Sequence, residues 1–415
     1  MRERLLTLIE TGVVTREDVA PLRPDLDEVL AVANHRVENV VGLHALPWAV
    51  ATNFLVNGRE VLVPMAIEEP SVVAAASHAA KLVRASGGFA AEADPHQVWG
   101  QIQLVRCQDW MAAEQALMAN RERLLEMAAA AHPRLAQRGG GPRTLTVRHL
   151  NPTSASEATR MLIVELLVDT RDAMGANVVN TMVERLAPVV ESLSGGQAIC
   201  RILSNYADQC LGRATCTVHP DQLAVGSFPG PEVRDRIVLA YQFAASDVRR
   251  AVTHNKGIMN GVDAVVVATG NDWRAVEAAA HAYAARSGRY RSLSTWRVDA
   301  EGRLVGRLEM PLALGTVGPS IDTQPTARTA LALLDHPDAR ALAGIVASVG
   351  LGQNLAALTA LVTDGIQQGH MRLHARSVAL AAGAPLDQVD ALANLLMDRG
   401  WVSTPHARAW LRGRL

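Results

Sequence analysis

Several features that would place a chain quickly are missing from this one. It has no block of basic or acidic residues: 40 Lys and Arg stand against 41 Asp and Glu, for a formal net charge of −1 over 415 residues. That balance gives no electrostatic footprint for a nucleic acid or an anionic membrane surface, although a few placed arginines can still hold a small anion. Cysteine is scarce. Cys107, Cys200, Cys210 and Cys216 show no C-x-x-C spacing, which argues against a zinc site or a disulfide framework and for free thiols. No uninterrupted run of about eighteen apolar residues appears. Met1-Arg-Glu-Arg-Leu-Leu lacks the basic, apolar and small-residue succession of a signal peptide, so the expected location is the cytoplasm, without a membrane partner. Internal repeats and low-complexity linkers are lacking too. Neither Gly139-Gly-Gly141 nor Asp172-Ala-Met-Gly175 makes a G-x-G-x-x-G fingerprint, which disfavours a doubly wound dinucleotide fold.

What is present is a chain too long for one ordinary core, with 49% apolar residues, so two or three domains are expected. Residues 1 to about 36 read as two short helices joined through Pro21, Arg23 and Pro24. Asn57-Gly58 is a strong hairpin turn signal before a strand over 60–67, and Pro70-Ser71 starts an Ala-rich helix over 72–84 that stops at Ser86-Gly87-Gly88. Between 97 and 203 the texture is that of a separate module. Strand 98–105, helix 110–131, strands 144–149 and 161–168, helix 177–193 and strand 198–203 give a split βαβ, ferredoxin-like order. Further on, the apolar Ala264-Val-Val-Val-Ala268 reads as a buried strand, followed by a helix over 273–286, a hairpin over 292–310 turning near Gly302, and helices from 327 onward. The tail holds helices over 386–399 and 407–415.

The fold class expected is therefore α+β. A large, mostly helical domain with central buried elements (1–96 and 204–368) carries the inserted ferredoxin-like module (97–203), which is not a Rossmann unit, and a C-terminal helical flap (369–415).

Chemistry concentrates around 253–273. Polar groups flanking a buried apolar run are costly unless they have a task. Lys256 can polarise an oxygen, while Asp272, sixteen residues on, can cap a helix and also pair with the lysine. Glu68-Glu69 at a strand-to-helix junction is a second acidic candidate. His370 and His374 are spaced for one helix face, but no third ligand is evident, so no metal is expected. A histidine after Gly369, at the start of a tail that moves, suits a proton donor. The turn over 168–177 precedes a helix and can present backbone N–H groups to an anion.

Taken together these segments resemble one family. Glu38-Asn-Val-Val-Gly42, Asn57-Gly-Arg with Val61-Leu-Val-Pro64, Glu68-Glu-Pro-Ser-Val-Val-Ala-Ala-Ala-Ser77, Asp172-Ala-Met-Gly-Ala-Asn177, Thr253-His-Asn-Lys-Gly-Ile-Met-Asn-Gly261, Ala268-Thr-Gly-Asn-Asp272-Trp-Arg-Ala-Val-Glu277 and Gly369-His-Met371 are similar to the hydroxymethylglutaryl-CoA reductases of the bacterial class II type. The resemblance runs from about residue 30 to about 385. It implies a four-electron interconversion of 3-hydroxy-3-methylglutaryl-CoA with mevalonate and CoA, using two NAD(P)H. By the same matching, Lys256 stabilises the oxyanion, Glu69 is an acid, Asp272 couples their charges and His370 protonates the CoA thiolate. Ser71, Asn205, Arg250, Asn260 and Gln353 are implied substrate contacts. Asp172, Met174, Gly175 and Asn177 are implied cofactor contacts. The family also implies a homodimer with interfacial active sites, or a higher oligomer built on it. NAD-preferring members carry an aspartate seven residues before the triple glycine. Here that place is His132, with Arg134 and Arg138 close by, which points to NADPH ahead of NADH. Two other readings stand beside this one: a reductase or aldehyde dehydrogenase for another acyl-CoA, and a non-catalytic CoA-binding homologue.

Overall fold

The computed structural model describes residues 2–23, 25–151, 160–363 and 365–413. The N-terminal arm holds three helices rather than two: α1 (Arg2–Glu10), α2 (Arg16–Val19) and α3 (Leu26–Arg36). Each break coincides with a side chain that bonds local backbone. Thr15 and Asp18 form a capping box at α2, and Asp25 accepts from Asp27 and Glu28 N–H at α3. A hairpin of β1 (Trp48–Val56) and β2 (Arg59–Ala66) follows. Its two turn residues, Asn57 and Gly58, have φ of 50° and 77°, the left-handed pair whose twist matches the strands it joins. α4 (Val72–Arg84) keeps the expected limits and buries Ala76, Ala79, Ala80 and Val83 in the main core. The edge of that core is continued by β3 (Phe89–Ala93).

The middle of the chain folds around its own core. It comprises β4 (Gln97–Val105), α5 (Trp110–Ala119), α6 (Arg121–Ala131), α7 (Pro133–Gln137), β5 (Gly141–Leu150), β6 (Met161–Asp169), α8 (Ala176–Ser194) and β7 (Gln197–Leu203). Its four strands form an antiparallel sheet in the order β5-β6-β4-β7. The single helix expected over 110–131 is interrupted at Asn120, whose amide donates to the Ala116 carbonyl, a local bond that competes with the helix ladder. Gly100 lets α8 lie close on the sheet; a Cβ there would stand 2.6 Å from Val179.

The chain then returns to the first core through β8 (Leu211–Val218), α9 (Gly230–Ser246), α10 (Val248–Ala268), α11 (Trp273–Ala284), β9 (Ser294–Val298) and β10 (Leu304–Pro311). A six-stranded sheet results, in the order β2-β1-β3-β8-β10-β9, set among helices that make up most of the regular structure of this part, as expected. One correction matters here. Residues 264–268 are not a strand but the last turns of α10, a helix of 21 residues. The reason is composition: Asp263 and Val267 lie on a half-buried stripe and their neighbours are covered, but Ala264-Val-Val-Val-Ala268 is apolar throughout, and such a run carries no polar period to distinguish helix from strand.

After α12 (Pro319–Asp322) and α13 (Pro325–Leu333) comes α14 (Ala339–Val362). By length and composition α14 is apolar enough to cross a membrane, yet it runs through the protein core beside α4, α10, β3 and β8. Glycines set its distance from α10. A Cβ on Gly350 would lie 2.9 Å from Val262, and one on Gly261 would lie 2.9 Å from the Cβ of Gln353. The tail is helical, as expected, with α15 (Ile366–Ala381), α16 (Val389–Asp398) and α17 (Thr404–Leu411) sharing a small core of Val378, Leu392, Leu396 and Ala407.

Candidate active site

α4, α10 and α14 border an open cleft of about 910 Å³, lined among others by Glu69, Ser71, Arg250, His254, Lys256, Asn260 and Gln353. Helical spacing brings these side chains together. Arg250 and His254 stand one turn apart on α10, as do Lys256 and Asn260, so two adjacent stripes of one helix face the opening.

Lys256 Nζ donates to Glu69 Oε2 at 2.7 Å, joining α10 to the segment between β2 and α4. In the single chain the lysine side chain is 61% exposed and the glutamate 37%. Ser71, next to that pair, has φ 73° and makes no side-chain cap for α4. A non-glycine residue held there is strained, and its hydroxyl and the first N–H groups of α4 are left to face the cleft. Arg250 has no carboxylate partner among the described residues, and burial pushes its pKa below the usual arginine value. Gln353 is almost wholly buried, and its Oε1 has no hydrogen-bond partner. Buried polar groups without partners are rare in folded chains, and here they border one cavity.

His254 belongs to the same cleft and was not among the residues expected there. It is buried and neutral: burial, and then the charge of Arg250, push its pKa down to about 3. It stands two residues before Lys256 in Thr253-His-Asn-Lys, where a buried histidine has no local mark to set it apart. This chain has two lysines, Lys81 and Lys256, among its 40 Lys and Arg residues, and the one at 256 brings a compact ammonium to the cleft.

Other expected residues lie apart from this cleft. Asp272 is the N-cap of α11, accepting from Arg274 and Ala275 N–H at 3.1 Å each, and it touches neither Lys256 nor Glu69. The twelve helical steps from Lys256 to Ala268 span about 18 Å at about 1.5 Å each, which carries Asp272 away from the lysine of its own chain. Asn205 lines a second, smaller depression with Met174, Ser204, Ala275 and Val276. Asn271 binds that region together, exchanging hydrogen bonds with Gly315 at 3.0 and 2.7 Å. Residue 370 lies within α15, and its side chain is outside the described residues.

Of the implied cofactor contacts, Asp172 has one carboxylate oxygen committed to Ala339 N at the start of α14. Gly175 is the N-cap of α8 with φ 99°, and a Cβ there would meet Thr170 at 2.7 Å, so glycine is needed. With no side chain capping α8, its first N–H groups, in the turn that holds Met174, Gly175 and Asn177, are left for an anion. His132 sits between α6 and α7, and its Nε2 is buried without a partner. Near the triple glycine, Arg143 and Arg171 both donate to Gly139 O at 2.6 Å. Among the described residues no group of three or more His, Cys, Asp and Glu side chains could hold a metal ion.

An acid–ammonium pair in one cleft and an uncapped helix start elsewhere suit an oxidoreductase that binds an acyl substrate and a phosphate-bearing dinucleotide at separate stations. The family model of hydroxymethylglutaryl-coenzyme A reductase matches residues 1–375, and the chain belongs to that family of oxidoreductases. The 3-hydroxy-3-methylglutaryl-coenzyme A reductase of Archaeoglobus fulgidus is 44% identical over 98% of this chain and 91% of its own length. A probable 3-hydroxy-3-methylglutaryl-coenzyme A reductase of Borreliella burgdorferi is 33% identical over 82% of this chain and 77% of its own. Among solved structures, the class II 3-hydroxy-3-methylglutaryl-CoA reductase from Streptococcus pneumoniae, bound to NADPH in open conformations, matches with a TM-score of 0.82 at 44% identity, covering 99% of each chain.

Proposed function

We propose that this chain interconverts 3-hydroxy-3-methylglutaryl-CoA with mevalonate and CoA in two successive reductions, through the residues of the α4–α10–α14 cleft. The observation that carries the assignment of roles is the Lys256–Glu69 pair at 2.7 Å in a cleft that also holds the unpaired Arg250. Arg250 and Ser71, at the uncapped start of α4, hold the acyl carboxylate, and Asn260 and Gln353 contact the rest of the acyl group. Lys256 faces the thioester oxygen and stabilises the negative charge that builds there. NADPH, when bound, supplies the hydride. Glu69, hydrogen-bonded to the lysine, delivers the proton to the aldehyde oxygen in the second reduction, and His370 protonates the departing CoA thiolate.

Asp272 completes this set from a partner subunit. Three observations support a homodimer: the separation of Asp272 from Lys256 along α10, the exposure of Lys256 in a single chain, and the exposed apolar side chains Leu239, Phe243, Val252 and Trp273 on α9, α10 and α11. Asn205, in the second depression, reaches the acyl-CoA by the same association.

The dinucleotide is assigned to the 97–203 module, read as a ferredoxin-like domain inserted in the large domain (1–96 and 204–368), with 369–415 as a flap. The strand order β5-β6-β4-β7 and the separate core support that division. NADPH is the cofactor favoured. No acid stands at His132, and beside Gly139 Arg143 and Arg171 share the one carboxylate of Asp169, which leaves a single net positive charge there. With no nucleic-acid or membrane footprint, the enzyme is assigned to the cytoplasm.

The test is oxidation of NADPH, followed spectrophotometrically, with 3-hydroxy-3-methylglutaryl-CoA, acetyl-CoA and succinyl-CoA. Turnover is expected with the first alone. Consumption with either of the others, and none with the first, would contradict the proposal.

A further inference from the structure

His254 lines the acyl cleft, but its ring is also tied into the core, and the ties determine which nitrogen carries the proton. Trp296 Nε1 can only donate, and it lies 2.7 Å from Asn354 Oδ1, so the oxygen of that amide faces the indole. Ser294 Oγ lies 2.8 Å from the same oxygen, which can only accept; the serine proton therefore points to Asn354. His254 Nε2 lies 2.6 Å from Ser294 Oγ, a hydroxyl whose proton is already committed. A contact that short is a hydrogen bond only if Nε2 supplies the proton. The Asn354 amide nitrogen, 3.2 Å from Nε2, is then a packing neighbour. A neutral imidazole protonated on Nε2 carries a bare lone pair on Nδ1. That atom is buried and has no partner.

His254 and Gln353, whose Nδ1 and Oε1 are buried acceptors without donors, thus both line the cleft beside the cationic Arg250. The cation calls for an anion, and the acceptors call for a donor on the same ligand. A 3-hydroxy-3-methylglutaryl group carries both, a carboxylate and a tertiary hydroxyl. We infer that His254 Nδ1 accepts a hydrogen bond from the 3-hydroxyl of the acyl group, which makes His254 a specificity-determining residue for 3-hydroxyacyl substrates. This assignment rests on reading the cleft as the acyl site. Its chemistry is that of an acceptor and not of a base, because Arg250 and burial keep the ring neutral. Sites that leave a buried polar group unpaired when a substrate hydroxyl is missing reject the deoxy analogue strongly.

Two substitutions separate the nitrogens. In His254→Gln the amide nitrogen takes the place of Nε2 and keeps the bond to Ser294, while the acceptor at Nδ1 is lost. In His254→Asn the amide oxygen stands where Nδ1 was and the core bond is lost. Each variant is assayed with 3-hydroxy-3-methylglutaryl-CoA and with 3-methylglutaryl-CoA, which lacks the hydroxyl. The wild type is expected to favour the hydroxylated thioester in kcat/KM by at least about a hundredfold. His254→Gln should lose about tenfold or more of that preference through the hydroxylated substrate, with the KM for NADPH unchanged, and His254→Asn should keep most of it. A preference in His254→Gln equal to that of the wild type overturns the proposal.

Histidine 15N NMR supplies a readout without turnover. The Nε2–H tautomer is expected in the free protein, and the Nδ1 signal should move on addition of 3-hydroxy-3-methylglutarate. An Nδ1–H tautomer, or an Nδ1 signal unmoved by a ligand that binds, overturns the proposal. A wild type that shows the tautomer and the shift but does not reduce the thioester would instead count against the reaction assigned above.

Discussion

Lys256 shows at the scale of one residue how function and stability separate. Its ion pair with Glu69 is short, but both side chains are more than a third exposed in the single chain, and exposed pairs contribute at most about 1 kcal/mol. The role proposed for it rests instead on the charge it would present to a developing oxyanion. Lys256→Ala is therefore expected to lower kcat at least about a hundredfold while leaving the midpoint of thermal unfolding within about two degrees of wild type. Turnover assays beside a thermal melt check both halves, and a large drop in melting temperature would make the lysine a structural residue instead. Arginine in its place should not restore the rate, because a planar fork does not substitute for a point charge in a fitted site. His254 is the complementary case: buried, neutral, and read through the atoms it leaves unpaired.

Among the elements, the crossing of α10 and α14 decides where the cleft residues stand. Gly261 faces Gln353 and Val349 so closely that a methyl group would sit 2.9 and 3.2 Å from them. Gly261→Ala should destabilise the protein by about 1–3 kcal/mol through overpacking, and should raise the KM for the acyl thioester by displacing Gln353. Gly257, one turn earlier on α10, makes a control, since its added Cβ would meet nothing closer than Ala357 at 3.9 Å. Gly257→Ala is expected to raise stability by up to about 1 kcal/mol, from helix propensity alone. Urea unfolding of the two variants measures the contrast; equal effects would mean that the crossing tolerates a wider spacing than its glycines imply. The hairpin turn at Asn57-Gly58 and the limits of α4 were legible in the sequence because local chemistry sets them. α10 was not, because the run Ala264-Val-Val-Val-Ala268 holds no polar residue to mark a period.

Over the whole molecule, buried titratable groups shape stability against pH. Asp263 on α10 is pushed up to about 9, by burial first and then by its hydrogen bond to Glu277 and that group's charge. Its Oδ1 finds no donor, as expected of a carboxyl that keeps its own proton. Glu277 in turn pairs with His281 at 2.7 Å, and His281 with Tyr290 at 2.7 Å. An unfolded aspartate ionises near 4, so between about 4 and 9 the folded state binds more protons than the unfolded one, and stability falls as pH rises through that window. Asp263→Asn should remove this slope. The variant is expected to be about 1–3 kcal/mol more stable than wild type at pH 8.5 and to differ little at pH 4.5. Denaturant titrations at the two pH values check this, and parallel behaviour would show that Asp263 ionises normally. His254 acts from the other side. Kept neutral down to about 3, it costs stability as pH falls below the ordinary histidine value near 6.5, where the unfolded chain takes up the proton.

By itself the sequence determined what local patterns and contiguous motifs can carry. The family follows from stretches such as 253–261, where chemistry and spacing lie side by side in the chain, and so does the grouping of Arg250, Lys256 and Asn260 at one cleft. Tertiary structure decided the rest. Residues 264–268 became helix because packing, and not periodicity, assigns a buried apolar run. That helix, continuous to Ala268, holds Asp272 away from the Lys256 of its own chain. The unpaired Nδ1 of His254 depends on Ser294, Trp296 and Asn354, residues 40 to 100 positions away. A hydrogen bond left unmade is a property of the folded surroundings, and no single stretch of sequence contains it.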